Sequence, residues 1–291
     1  MPELPEVETV RRGLQRHTLN ANIIGGEVLL ERTIAHPPAV RQFIDQLTGC
    51  QLQDWQRRGK YLLAQLTQSQ KPAGWLGVHL RMTGQLFWLA KETPLQSHTR
   101  VRLFCEQASP AQPAPNHYEL RFVDIRTFGQ MWWVPPETPP EKVITGLQAL
   151  GPEPFSADFS VAYFQQRLQR SRRPIKTALL DQAIVAGLGN IYADESLFLS
   201  QIHPTKLTHT LKPRDVQKLH QAIQHVLRES IEHGGTTLRD FRDLQGVNGN
   251  YGGVARVYHR TGEPCLTCQT PIERIKLAGR STHFCPRCQP Q

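Results

Sequence analysis

The chain has 291 residues, 39% of them hydrophobic, with a formal net charge of +9 and a pI near 9.5. That length suits about two domains plus a small appended module, and the apolar share is enough for packed cores, which excludes a wholly disordered chain. Such basicity favours a polyanionic partner, nucleic acid first, with a membrane surface or basicity without function as alternatives. The charge is uneven: residues 1–150 carry 16 Lys/Arg against 13 Asp/Glu, and residues 151–291 carry 18 against 12. Arg dominates the second half, and its planar fork suits phosphate better than an ammonium does. The start, Met1-Pro2-Glu3-Leu4-Pro5-Glu6, is acidic and lacks the basic lead and apolar run of a signal peptide. No stretch has the apolar length of a membrane span. A cytoplasmic protein with no membrane partner is expected.

Val7, Val10 and Leu14 recur at helical spacing between Glu6 and His17, with Pro5 placed to open the helix. From Ile23 to Val134 the pattern changes to β-rich runs at 23–30, 51–56, 61–66, 84–89, 99–104, 118–123 and 129–134. Many short strands at this spacing predict a sandwich or flattened barrel, and the Pro-rich stretch 109–116 reads as an exposed hairpin loop. Residues 135–152, rich in Pro, form the expected linker. Beyond it Val161, Phe164 and Leu168 share one helical face, a helix is predicted over 191–199, and Val216, Leu219, Ile223, Val226 and Ile231 mark a longer one. Pro213 opens that helix and Gly234-Gly235 closes it. Residues 236–253, rich in Gly, Asn and Thr, read as a long loop. The expected organisation is α+β and multidomain: a β-sandwich with an N-terminal helix over 1–134, the linker 135–152, a helical domain over 153–253, and a cysteine module over 254–291.

In that module Cys265-x-x-Cys268 and Cys285-x-x-Cys288 are separated by 16 residues, inside the usual range for a structural zinc site. Each knuckle offers two thiolates from one tight turn, and two knuckles close a tetrahedron with no open position. Iron or a pair of disulfides are the alternatives. One structural zinc ion is expected, and no organic cofactor. So short a module needs its metal to fold. The run 272–284 between the knuckles predicts a β-hairpin with Arg280 at or near its tip, where it is either solvated or set against phosphate. Cys50 and Cys105 are isolated and read as buried free thiols.

Pro2 turns a nucleic-acid binder into a candidate enzyme. Removal of Met1 would leave a secondary amine, and an α-amino group titrates near ~7.7–8, so a useful fraction is neutral and nucleophilic. Attack of such an amine on an aldehyde-like carbon gives an iminium, which is a good electron sink for eliminations. Glu3 lies beside it and Glu6 one helical turn on, either as proton carriers or as acids complementing the helix dipole.

The string Pro2-Glu-Leu-Pro-Glu-Val-Glu-Thr-Val10 resembles the N-terminus of the bacterial formamidopyrimidine-DNA glycosylases. So do Arg58-Gly-Lys60, His79-Leu-Arg-Met82-Thr-Gly84, Asp124-Ile-Arg126-Thr-Phe128-Gly129, Gly187-Leu-Gly-Asn190-Ile-Tyr-Ala-Asp-Glu195 and the terminal finger. The resemblance implies an N-terminal β-sandwich, a helix–two-turn–helix domain and a zinc finger in a monomer that acts on damaged double-stranded DNA near the nucleoid. It further implies excision of oxidised purines by Pro2, with Glu3 donating a proton to the opening sugar ring and Glu6 ordering the site. Lys60 would donate in β-elimination and Arg280 in δ-elimination. Met82, Arg126 and Phe128 match the family's void-filling triad, and such apolar wedges suit an enzyme that must extrude a nucleotide. Their alternative is core packing for Met82 and Phe128. His98, Arg172, Lys176 and Asn190 match DNA-contact positions, against bland readings of a solvated charge run for Arg172 and Lys176 and an ordinary cap for Asn190. The stretch 236–253 corresponds to the loop that covers the extruded base. Arg81 departs from the family, which usually has a small residue there. An endonuclease VIII-like enzyme for oxidised pyrimidines and a non-catalytic DNA-binding protein are the competing readings; the N-terminal run and the Arg126–Phe128 pair fit the purine branch better.

Overall fold

The computed structural model describes residues 1–109, 112–236 and 251–291. The chain forms two compact units, one of Met1–Gln148 with the segment returning at Gly234, the other of Ala149–His233 with the chain from 251 onward. The stretch 135–152 holds α3 (Pro140–Val143), counting α1 (Leu4–His17) and α2 (Val40–Leu47) before it, and buries Ile144 and Leu147 in the first unit. The cysteine module belongs to the same unit as the helices that precede it.

The first unit contains β1 (Asn22–Val28), β2 (Ile34–His36), β3 (Gln51–Arg58), β4 (Tyr61–Gln68), β5 (Lys71–His79), β6 (Gly84–Ala90), β7 (Thr99–Ser109), β8 (Gln112–Asp124) and β9 (Gln130–Val134). They pair in the order β2-β9-β5-β4-β3-β1-β7-β8-β6, antiparallel except for β2 with β9. Between β3 and β1 the ladder narrows to the one pair Asn22↔Gln51. The two halves thus behave as two sheets joined at a corner, which is the expected sandwich. Alternate residues point inward as the period of two requires: Leu62, Ala64 and Leu66 on β4, Leu76 and Val78 on β5, Val101 and Leu103 on β7, Leu120 and Phe122 on β8 all enter one core. Helix α1 adds Val7, Val10 and Leu14 to it.

The end of α1 is tied to β3 by Gln15, whose Oε1 accepts from Trp55 N at 2.8 Å, and by Thr18. Thr18 Oγ1 donates to the Leu14 carbonyl at 2.8 Å and accepts from the indole Nε1 of Trp55 at 2.9 Å, with Trp55 fully buried.

The second unit is built on α4 (Val161–Gln169), α5 (Ile175–Leu179), α6 (Asn190–Leu199), α7 (Pro213–Glu232) and the hairpin β10 (Glu273–Leu277)–β11 (Arg280–Phe284). Ser160 caps α4 by accepting from Tyr163 N. Helix α6 is buried on every side from Ile191 to Phe198, including Asp194 and Glu195, and α7 packs along it through the apolar stripe that its sequence predicts. No helix among the described residues is long and apolar enough to cross a membrane. Most of the loop 236–253 lies outside the described residues; Tyr251, at its end, is fully buried against Tyr192.

Replacing Thr18 with Val keeps the volume and leaves the buried indole N–H without its acceptor, so the first unit is expected to lose about 1–3 kcal/mol. Urea unfolding followed by tryptophan fluorescence reads this directly, because all five tryptophans lie between positions 55 and 133.

Candidate active site

The helix entry comes first, because it fixes Pro2. Glu3 is the N-cap of α1, and Glu3 and Glu6 form a reciprocal capping box: the Glu3 side chain takes the Glu6 amide, and Glu6 Oε2 accepts from Glu3 N at 2.8 Å. Glu6 Oε1 accepts in addition from Thr236 N at 2.7 Å. Both carboxylates are buried, and every residue from Pro2 to Val7 is withdrawn from solvent while Met1 is exposed. Met1 is thus the one residue of this entry that the fold leaves in solvent.

Lys60 sits in the tight β3–β4 turn, where Gly59 takes φ +56°, and is largely buried. This turn is tethered to α1. Arg57 donates from Nη1 to the Gly59 carbonyl at 3.0 Å and from Nε to Glu8 Oε2 at 3.2 Å. Burial pushes the Glu8 carboxyl up, but hydrogen bonds from Arg11 and Arg12 and the charges of Arg11 and Arg57 bring it below the usual carboxylate range.

The expected wedge residues stand on two loops that leave the sheet side by side. In register, His79 at the end of β5 faces Gln130 on β9, and Gly84 at the start of β6 faces Asp124 at the end of β8. Asp124 clamps the two loops. Its Oδ1 accepts from Thr83 Oγ1 at 2.5 Å and its Oδ2 from Gly129 N at 2.7 Å. Its amide donates to the His98 carbonyl at 3.0 Å, and its own carbonyl accepts from Arg100 Nε at 2.8 Å. Thr83 Oγ1 accepts in turn from Arg126 N. The clamp leaves Ile125, Arg126 and Phe128 exposed, the Arg126 guanidinium lying 5.0 Å from the Phe128 ring centroid, and Met82 half-buried. Core packing therefore does not describe Phe128. His98 is exposed beside the same clamp.

Three residues before Met82 stands one whose part in the site its motif did not disclose. His79 is buried, meets the Tyr61 ring edge-on at 4.4 Å between centroids, and accepts from Arg81 N at Nδ1. Burial, then the charges of Arg81 and Lys60, lower its pKa to about 3. Arg81 adopts φ +53°, a left-handed conformation that costs a residue with a Cβ about 1–2 kcal/mol. Its guanidinium donates to Gln130 Oε1 at 3.0 Å.

In the second unit the structure redirects one expectation. Lys176 is no exposed phosphate ligand: it is 1% exposed, and its Nζ lies 2.7 Å from Asp194 Oδ1, 2.8 Å from the Ser281 carbonyl and 2.9 Å from Thr282 Oγ1. Asn190 is the first residue of α6, with Gly189 as the cap, and its Nδ2 also donates to the Ser281 carbonyl. Asp194 Oδ2 accepts from His283 N and Nδ1. These bonds hold β11 just after Arg280, which is exposed beside the two-residue turn Ala278-Gly279. Arg172 is exposed as expected. Glu195, next to Asp194, accepts from the amides of Arg256, Val257 and Tyr258.

The thiols of Cys265, Cys268, Cys285 and Cys288 lie within 4.8 Å of one another, with sulfur pairs at 3.9 and 3.4 Å. A tetrahedral zinc at Zn–S of about 2.3 Å needs sulfurs about 3.8 Å apart, so the set fits. All four are free thiols, which removes the disulfide alternative, as are the buried Cys50 and Cys105. The finger has a small core of Val257, Ile272 and two of these cysteines against Phe198 of α6.

Two outcomes follow from this geometry. With a folded pKa of about 3 against an ordinary 6.5, His79 takes up a proton on unfolding at any pH between those values. Stability should thus be unaffected above pH 6.5 and fall as pH drops below it, by at most about 1.4 kcal/mol per pH unit from this group. His79→Phe should remove that part of the slope in urea titrations at pH 4–7. Chelation of the metal should expose the finger to trypsin at Arg274 and Lys276 while tryptophan emission stays unchanged.

Three family descriptions match the sequence: "Formamidopyrimidine-DNA glycosylase N-terminal domain" over residues 1–131, "Formamidopyrimidine-DNA glycosylase H2TH domain" over 150–242 and "Zinc finger found in FPG and IleRS" over 262–291. The last match and the thiol geometry together make the four-cysteine cluster a structural zinc site. The formamidopyrimidine-DNA glycosylase of Acaryochloris marina is 62% identical over the full length of both chains. A structure of the Lactococcus lactis Fpg with DNA containing an abasic site superposes with a TM-score of 0.87 at 35% identity, covering 99% of this chain and 100% of that one. The same enzyme with DNA containing N7-benzyl-Fapy-dG also gives 0.87 at 35% identity, over 100% of both chains. With relatives this similar over its whole length, the chain belongs to the formamidopyrimidine-DNA glycosylase family.

Proposed function

We propose that the protein is a base-excision-repair glycosylase that removes oxidised purines, 8-oxoguanine and formamidopyrimidines, from double-stranded DNA and then cleaves the abasic strand. The observation that carries this reading is the helix entry, where Pro2 is held next to the buried carboxylates of Glu3 and Glu6. Relatives whose solved complexes contain an abasic site or a Fapy-dG derivative support the substrate class.

Pro2, freed of Met1, attacks C1′ of the damaged nucleotide, and the C1′–base bond breaks with its electrons going to the base. Glu3 donates a proton to the ring oxygen as the C1′–O4′ bond opens, leaving an iminium between Pro2 and C1′. Glu6 is spent on backbone amides and acts by ordering this site, not by moving protons. The iminium then drives loss of the 3′-phosphate by β-elimination, with Lys60 as the proton donor. Loss of the 5′-phosphate by δ-elimination follows, with Arg280 in that role. Water then hydrolyses the iminium, which frees Pro2 and releases the sugar remnant as an unsaturated aldehyde; the products are that fragment, the free base and a one-nucleotide gap with phosphate on both sides. Met82, Arg126 and Phe128 fill the hole left by the extruded nucleotide. His98, Arg172 and Asn190 bind backbone phosphate. Lys176 serves the same surface indirectly, by holding the strand that begins at Arg280.

The test is borohydride trapping on a duplex with one 8-oxoguanine opposite cytosine, followed by mass mapping. The expected result is an adduct on Pro2, abolished by any N-terminal extension. An adduct only on an oxidised-pyrimidine duplex would move the protein to the endonuclease VIII-like reading. Absence of any adduct from zinc-loaded protein with a verified Pro2 terminus would leave a DNA-binding protein.

A further inference from the structure

The geometry points to His79 as the positioning residue that holds Met82 in inserting geometry, by clamping Arg81 in its left-handed backbone conformation from below. The inference rests on the reading of Met82 as a wedge.

Four observations carry it. Arg81 has φ +53°, and it is the residue immediately before Met82. A residue with a Cβ carries a cost there, which a local bond can offset. That bond is present: Arg81 N donates to His79 Nδ1 at 2.9 Å. His79 itself cannot swing away, because β5 pairs it between Tyr61 on β4 and Gln130 on β9, and the Tyr61 ring lies against its own. The Arg81 guanidinium then reaches across to Gln130 Oε1 at 3.0 Å, closing a ring of contacts over the three strand ends.

The protonation of His79 suits an acceptor. Nδ1 can accept from an amide only while it carries no proton, and burial with Arg81 and Lys60 nearby keeps the imidazole neutral down to about pH 3. In the neutral ring the tautomer with its proton on Nε2 leaves Nδ1 free to accept from Arg81 N. The turn that carries Lys60 precedes Tyr61 directly, so one ring supports the wedge loop on one side and the Lys60 turn on the other. A glycine at position 81 would adopt the left-handed conformation without help, whereas Arg81, with its Cβ, gives the histidine bond a cost to offset.

The test measures insertion and not chemistry. A duplex carrying a tetrahydrofuran abasic analogue with 2-aminopurine opposite it reports entry of the wedge as a fluorescence change. His79→Phe keeps the ring against Tyr61 and removes the acceptor; the insertion amplitude is expected to fall about fivefold, the worth of one buried hydrogen bond. His79→Asn, whose Oδ1 can stand where Nδ1 stood, should keep most of the amplitude. The decisive variant is His79→Phe combined with Arg81→Gly, which should recover to within about twofold of Arg81→Gly alone, since glycine does not need the clamp. Equal amplitudes in wild type and His79→Phe overturn the proposal. So does a His79→Phe defect that Arg81→Gly leaves untouched, which would make the histidine a packing residue only. Strand cleavage of a single-stranded abasic oligonucleotide, which needs no wedge, separates the two levels of inference. Wild type that inserts but does not cleave would sink the enzyme reading and leave the clamp standing, and wild type that cleaves but gives no insertion signal would sink the clamp alone.

Discussion

The hydrogen bond from Glu3 N to Glu6 Oε2 is the constraint on which the rest of the first unit's chemistry depends. Chain termini fray unless something ties them down, and Pro2, proposed above as the nucleophile, has only the terminus to work from. The solution is to make the terminus part of a helix entry. Pro2 precedes the N-cap, the position from which an apolar residue usually meets the one four places into the helix, here the buried Val7. Pro5 lies in the first turn, where a missing N–H costs nothing. On the proposed mechanism the proton donor Glu3 is also the cap, and Glu6 orders the entry around it. Removing Glu3 would therefore disturb placement and proton transfer together, and removing Glu6 would disturb placement.

Asp124 applies the same economy to the two loops at the sheet's end. Loops that carry function are useful only when a rigid scaffold aims them. One buried carboxylate engages Thr83 from one loop and Gly129 from the other, while its backbone ties in His98 and Arg100. Exposed Phe128 and half-buried Met82 can then stand in solvent without collapsing onto the sheet.

How far the sequence shows this differs by element. Helices α1, α4 and α7 were legible because each has one apolar face and a marked start. The cysteine knuckles were legible because spacing alone defines them. Strand β5 was not, and the reason is local: Pro72, Gly74 and Gly77 punctuate it like a turn. Those glycines answer to packing. A Cβ on Gly74 would come within 1.9 Å of the Val134 carbonyl on β9, and one on Gly77 within 2.5 Å of Ile144. The same Ile144 explains why a Pro-rich stretch read as a linker is instead packed on the sheet. The site was half legible: motifs brought Pro2, Glu3, Lys60 and Met82 to notice, but the bonds that set them, from Asp124 and His79, depend on register between strands far apart in sequence.

Lys176 makes the limit plain. In sequence it closes a basic run, 167–176, and nothing local distinguishes it from Arg172. What separates them is Asp194, on a helix buried all round, which draws the ammonium inward. A buried ion pair of this kind gains little net stability, because both ions give up their water; its effect is to fix which partners meet. Here it fixes Ser281 and Thr282 against α5 and α6, and therefore the start of β11. Neighbouring basic charge is spent similarly: Arg173 pairs with Asp181, and Arg256 with Glu229. The number of Lys and Arg residues in the second half thus overstates the basic charge on its surface. Some of that charge builds the platform, and exposed Arg172 and Arg280 carry it to the surface.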